Sequence, residues 1–273
     1  MTTRNVEIYE EEVIRVEEGT FDTSNKNLSF CTSSNVVCLT QKLVAEAIGT
    51  YLLMFAGCGV VVVNKLYDGP ITFPGIAVTW GLIVMVLVYS LGHISGAHFN
   101  PAVTLTFALF RRFPYKQVPL YMIAQLIGSI LASGTLALMF DVTPTAYFGT
   151  TPSGSNAQSL VIEIIASFLL MFVISSVATD NRAIGELAGI AVGMTIMIDV
   201  FVAGPVSGAS MNPTRSLGPA LVIHNYKGLW VYIIGPPIGT ILGASAYNLI
   251  RFTDKSLEEL TKGSFLTKTT PKN

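Results

Sequence analysis

Apolar residues in this chain neither alternate nor recur on one helical face. They come in long blocks separated by short polar joints. A bilayer core of about 30 Å takes about 20 apolar residues per helix. Six blocks reach that length: residues 43–63, broken by Glu46 alone; 71–92; 117–140; 157–179, broken by Glu163; 187–204, broken by Asp199; and 228–250. The pattern predicts six membrane-spanning helices. Two shorter apolar segments, 100–110 and 212–223, cover roughly half a bilayer. Each opens on Asn-Pro after a Ser-Gly-Ala loop. Asn caps a helix and Pro suits its first position, so both predict half-helices.

The two short segments are copies. Ser95-Gly96-Ala97-His98-Phe99-Asn100-Pro101-Ala102-Val103-Thr104-Leu105 aligns with Ser207-Gly208-Ala209-Ser210-Met211-Asn212-Pro213-Thr214-Arg215-Ser216-Leu217, with six identities. The first long block of each half matches as well, 46–55 against 163–172, with Glu46 opposite Glu163. Each half holds three spans, an odd number, so the second half runs with inverted polarity. The two half-helices then enter the membrane from opposite faces. Irregular backbone at membrane depth is tolerated where it is buried in protein or lines a water-filled cavity. Half-helices meeting N-terminus to N-terminus near the midplane meet that condition. Their positive dipole ends converge on Asn100 and Asn212. Those amides can donate to a passing neutral solute, while a cation is repelled.

Composition agrees with a lipid-embedded chain. Charged residues make up 12%, against about a quarter in soluble domains. The net charge of -1 gives no reason to expect a nucleic-acid partner. Three cysteines, Cys31, Cys38 and Cys58, form neither a disulfide framework nor a metal spacing, and no cofactor or metal is called for. The acidic opening residues do not read as a cleavable signal. A glycosylation sequon at Asn27-Leu28-Ser29 falls in this polar segment and reads as chance. Arg111, Arg112 and Lys116 lie between spans two and three, Arg182 between four and five, and Arg251, Lys255, Lys262, Lys268 and Lys272 after span six. The positive-inside rule places both termini in the cytosol. The expected organisation is a disordered cytosolic tail at 1–41, a channel domain at 42–251 with repeats at 42–140 and 157–251, and a cytosolic tail at 252–273.

The duplicated motif at Asn100-Pro101-Ala102 and Asn212-Pro213-Thr214, with Arg215 following, resembles the signature of the aquaporin, or major intrinsic protein, superfamily. The resemblance covers about 42–251. The approach Gly204-Pro205-Val206-Ser207-Gly208-Ala209-Ser210-Met211 is similar to that of the plant nodulin-type subgroup. It implies an all-α membrane fold of six transmembrane helices and two re-entrant half-helices in an inverted 3+3 repeat. It also implies a homotetramer with one pore per subunit. The family's aromatic/arginine filter falls by spacing on Trp80, Val200, Ala209 and Arg215. Trp80 and Val200 would offer apolar contact to carbon, and Arg215 hydrogen bonds to hydroxyls. Val200 stands where a strict water filter has His, which widens the ring for glycerol-sized solutes. The second motif ends in Thr214 where the family usually has Ala. That is either a packed variant with an unchanged pore or a change that alters selectivity or reduces water flux. The tail around Ser264 resembles a segment that is phosphorylated in nodulin-type channels, which implies a serine kinase as partner.

The expected function is a passive channel for water and small uncharged solutes, glycerol-type polyols together with ammonia, urea, boric or arsenous acid, that excludes ions and protons. A poorly water-permeable metalloid or organic-acid channel is the alternative. A secondary transporter can share inverted repeats, but it would need coupling charges and alternating access, and the paired half-helices with Arg215 favour a fixed pore. A non-conducting scaffold is a further class. No membrane-embedded catalytic set is present, so an enzyme is not expected. Glu46 and Glu163 are expected to accept hydrogen bonds from the loop N–H groups beside each half-helix. His93 and His98 flank the first loop, where packing is favoured over a pH gate. Asp199 is expected to face a neighbour rather than the pore. The glycines within the spans read as close helix contacts.

Overall fold

Inside lipid a helix satisfies its own backbone polar groups, and the apolar blocks are helical but for their end residues in the computed structural model. It describes residues 33–180 and 182–251. The elements are α1 (Ser33–Leu66), α2 (Thr72–Ser95), α3 (Pro101–Leu109), α4 (Val118–Met139), α5 (Asn156–Val177), α6 (Ala188–Ser207), α7 (Pro213–Ile223) and α8 (Leu229–Ile250). Six are long and apolar enough to cross a membrane, and α3 and α7 are the half-helices. No strand occurs among the described residues. The chain divides into two units, 1–39 and 40–273, and the second holds the apolar part of α1 and all of α2 to α8. Helix α1 begins at Ser33, upstream of the tail boundary expected at residue 41. Hydropathy marks only the apolar part of a helix, and here polar Asn35, Thr40 and Gln41 continue it. Residues 1–32 and 252–273, with Cys31, the sequon and Ser264, lie outside the described residues.

The halves interlock. Helix α5 packs along α8, and α2 along α6. Half-helix α3 of the first half packs against α8 of the second, while α7 packs against α4. Small residues set the closest approaches. A Cβ on Gly239 would stand 2.3 Å from the Ile164 carbonyl oxygen, and one on Gly128 would stand 2.3 Å from that of Ala47. Neighbouring helices therefore touch backbone to backbone at these points. Gly81 and Gly193 face each other across α2 and α6 in the same manner.

A polar cluster closes the end of the bundle where α5 and α8 finish. Asp180 accepts from Arg182 at 2.7 Å and from the Tyr247 hydroxyl at 2.9 Å, with Arg251 at 3.3 Å. The Arg182 side chain and backbone N–H hold its carboxyl well below the usual carboxylate range. Arg112 donates to Thr179 Oγ1 and, at 3.1 Å, to Asn248 Oδ1. The α3–α4 joint, the α5–α6 joint and the end of α8 are thereby tied together.

Overpacking a closed contact costs about 1–3 kcal/mol. Gly239→Val should therefore lower the melting temperature of the detergent-solubilised protein, whereas Gly134→Val, where an added Cβ meets nothing within 4 Å, should not. Equal thermal shifts for the two variants would refute the backbone-contact account.

Candidate functional site

The loops that lead into α3 and α7 have one conformation written twice. Gly96 and Gly208 take φ of 89° and 86°, Ala97 and Ala209 both 49°, and Phe99 and Met211 48° and 53°. Left-handed backbone at a residue other than glycine costs on the order of 1–3 kcal/mol and persists only where its surroundings enforce it. The enforcing groups are two fully buried acids. Glu46 accepts from His98 N (3.0 Å), Phe99 N (2.7 Å), Ser95 Oγ (2.7 Å) and Gln125 Nε2 (2.8 Å). Glu163 accepts from Ser210 N (2.8 Å), Met211 N (2.8 Å) and Ser207 Oγ (2.6 Å). A carboxylate needs donors on both oxygens when it is out of water, and the strained loops supply them. The hydroxyls of Tyr121 and Tyr232 donate to the carbonyls of Ser95 and Ser207 at 2.9 and 2.6 Å.

Each loop delivers its Asn to a helix N-cap. Asn100 Oδ1 accepts from Ala102 N at 2.9 Å. Asn212 Oδ1 accepts from Thr214 N at 3.0 Å and Arg215 N at 3.4 Å. The other side of each carboxamide crosses to the opposite half. Asn100 Nδ2 donates to the Met211 carbonyl and Asn212 Nδ2 to the Phe99 carbonyl, both at 2.8 Å. Each amide nitrogen carries two hydrogens, so one on each is left over. Both Asn side chains line a cavity of about 120 Å³.

That cavity also brings together the four residues singled out by spacing, Trp80, Val200, Ala209 and Arg215. Away from them it is walled by apolar side chains, among them Val84, Val103, Val192 and Ile196. It continues past His98 and Phe107 to Ala178 and Ala188. Arg215 is 4% exposed and has no acid partner among the described residues; its Nη1 reaches the Phe148 carbonyl at 3.4 Å and Cys58 Sγ at 3.9 Å. Its guanidinium lies 4.8 Å from the centroid of the Trp80 ring, so part of the Trp80 face is covered by a cation. Pro101, Ala102, Pro213 and Thr214 are buried off the cavity wall. The Thr214 hydroxyl points at its own motif, donating to Asn212 Oδ1 at 2.8 Å. Asp199 is buried in α6 but does not line the cavity, and its Oδ2 has no hydrogen-bond partner among the described residues. His98 lines the cavity, bonds Thr104 Oγ1 at 3.1 Å and packs against Phe107, Phe113 and Tyr121.

The Major intrinsic protein family model matches residues 33–247. The chain belongs to the major intrinsic protein family. It is thus a multi-pass membrane channel and not an enzyme. The chain is 70% identical over 258 residues to "Probable aquaporin NIP-type" of Nicotiana alata, covering 93% of this chain and 95% of that protein. It is 64% identical over 230 residues to "Aquaporin NIP1-1" of Zea mays, 84% and 82% of the two chains. It is 56% identical over 258 residues to "Nodulin-26" of Glycine max, 94% of each. Among solved structures, the aquaglyceroporin from Plasmodium falciparum superposes with a TM-score of 0.71 at 24% identity, over 78% of this chain and 96% of that one, which shows the shared fold.

Several groups that build this channel's site leave no motif in the sequence. The Phe99, Met211 and Phe148 carbonyls are backbone atoms that any residue presents. Tyr121, Tyr232 and Gln125 escape a reading of motifs. Their one signal is a polar tip in mid-span, which must find a partner when buried.

A hydrogen bond is worth about 0.5–1.5 kcal/mol net. Thr214→Ala should accordingly lower unfolding stability by about 1 kcal/mol and leave water flux per channel unchanged. A marked change in flux at unchanged stability would place the Thr214 side chain in the conducting path.

Proposed function

We propose that this channel passes water and glycerol-sized uncharged solutes passively and excludes ions and protons. The observation that carries the proposal is the reciprocal pairing of Asn100 and Asn212 inside one cavity, with α3 and α7 joined N-terminus to N-terminus. Each N-terminus contributes roughly half a positive charge, and the rest of the wall is mostly apolar. A cation that sheds its water there meets two positive ends and no acid among the described lining residues. A neutral hydroxyl or amide meets two spare N–H donors.

On this reading the selectivity filter is Trp80, Val200, Ala209 and Arg215. Arg215 supplies donors to a solute hydroxyl, and Val200 with the uncovered part of Trp80 supports its carbon side. Glu46 and Glu163 are structural acids, and Thr214 is a packed variant of the motif. The two repeats are 42–140 and 157–251. Both termini face the cytosol, the channel resides in the plasma membrane or an internal membrane, and four chains assemble with one pore each. Ser264 in the tail is the proposed target of a serine kinase. The relatives named as nodulin-type aquaporins support the water and small-solute reading.

The test is stopped-flow swelling of proteoliposomes with water, glycerol, urea, boric acid and arsenous acid. Permeability no higher than that of empty vesicles for every solute would end the proposal. Val200→His, which narrows the ring and adds a polar group, is expected to lower glycerol relative to water by about tenfold, a barrier of about 1.4 kcal/mol. An unchanged ratio would remove Val200 from the filter.

A further inference from the structure

Among the glycines of the spans, Gly57 of α1 differs in what it touches. It does not line the cavity. A Cβ built on it would lie 2.5 Å from each of three consecutive ring carbons of Trp80, Cζ2, Cη2 and Cζ3. A point beyond the rim of the ring would be nearest Cη2 and farther from the other two. Equal distances put it over the face of the six-membered ring. The Trp80 ring thus lies flat on the backbone of Gly57, with the cavity it lines beyond it. Cys58, the next residue, reaches Arg215 Nη1 through its sulfur at 3.9 Å. This single step of α1 therefore abuts both the aromatic and the cationic member of the ring.

We infer that Gly57 is a positioning residue for the channel's selectivity: by lacking a side chain it seats Trp80 back against α1 and sets the width of the passage beside Arg215. The inference rests on the reading of Trp80 as a wall of the filter. Carbon atoms pack at about 3.5–4.0 Å, so a methyl group at Gly57 must drive the ring about 1 Å or more away from α1. The contacting atoms are the far end of the Trp80 side chain, which can yield, whereas the α1 backbone cannot. The space open to the ring is the cavity. A shift of that size reaches the widest solutes first. Water still fits where a three-carbon polyol, which must bring its carbon edge against the ring, does not.

The experiment compares the full-length wild type, Gly57→Ala, Trp80→Leu and the double variant in proteoliposomes, reading glycerol and water permeability from the same preparations. Gly57→Ala should cut the glycerol-to-water ratio by about tenfold, equivalent to about 1.4 kcal/mol of added barrier. Trp80→Leu removes the ring that would be displaced. It should raise the ratio by itself, and adding Gly57→Ala to it should change the ratio no further. Such non-additivity is the mark of two residues acting through one contact, and a general helix-packing defect would not produce it. An equal loss of ratio with Leu at position 80, or no loss in the single variant, would overturn the inference. Should Gly57→Ala fail to insert, the double variant must insert normally, and misfolding of both would equally overturn it. An unchanged ratio in Trp80→Leu alone would instead refute the filter reading on which the inference stands.

Discussion

The channel depends on one pair of hydrogen bonds. Asn100 and Asn212 each cap their own half-helix with the carboxamide oxygen and reach across to the other half's loop with the nitrogen. A carboxamide carries acceptor and donor on one planar group, which is what this double task requires. Asp would cap equally well but would have nothing to donate, and would bring a negative charge between two positive helix ends. Each bond also consumes a carbonyl that would otherwise stand unsatisfied at membrane depth. The interlocking of α3 with α8 and of α7 with α4 places the two caps within reach.

Such a meeting of helix ends is costly to hold, and the remaining polar groups are arranged against that cost. Four left-handed residues other than glycine, Ala97, Phe99, Ala209 and Met211, turn the loops so that each Asn enters extended at φ near -150°. Glu46 and Glu163 collect the N–H groups those turns leave free, and Tyr121 and Tyr232 collect a carbonyl from each. Both acids are fully buried, and their oxygens are taken up by these loop donors. The halves differ where Arg215 stands opposite Val103. On the proposed reading, charge exclusion follows from what the copies share and solute choice from where they diverge.

Much of this was legible because it rests on local chemistry. Asn followed by Pro announces a helix start, three spans per half force the inversion, and an acid recurring at 46 and 163 invites a shared role. The start of α1 was not legible, because hydropathy sees the lipid-crossing part of a helix and not its polar extension. Neither was the direction of the Thr214 hydroxyl, which is a choice of rotamer. The cross-bonds to Phe99 and Met211 end on backbone oxygen, which leaves no mark on residue identity. Gly57 resembles every other glycine in the spans until the ring of Trp80 is found lying on it. Tertiary placement also qualified the expected apolar face of Trp80, since Arg215 stands over part of it.

The central claim is that two converging helix N-termini, fixed by the reciprocal Asn pair, admit neutral solutes and turn away charge. It is tested most directly by measuring proton and cation current under an applied potential in vesicles whose swelling shows solute entry. The account predicts rapid entry of neutral solute with current no greater than that of protein-free vesicles. Current that rises with the amount of channel alongside solute entry would contradict it.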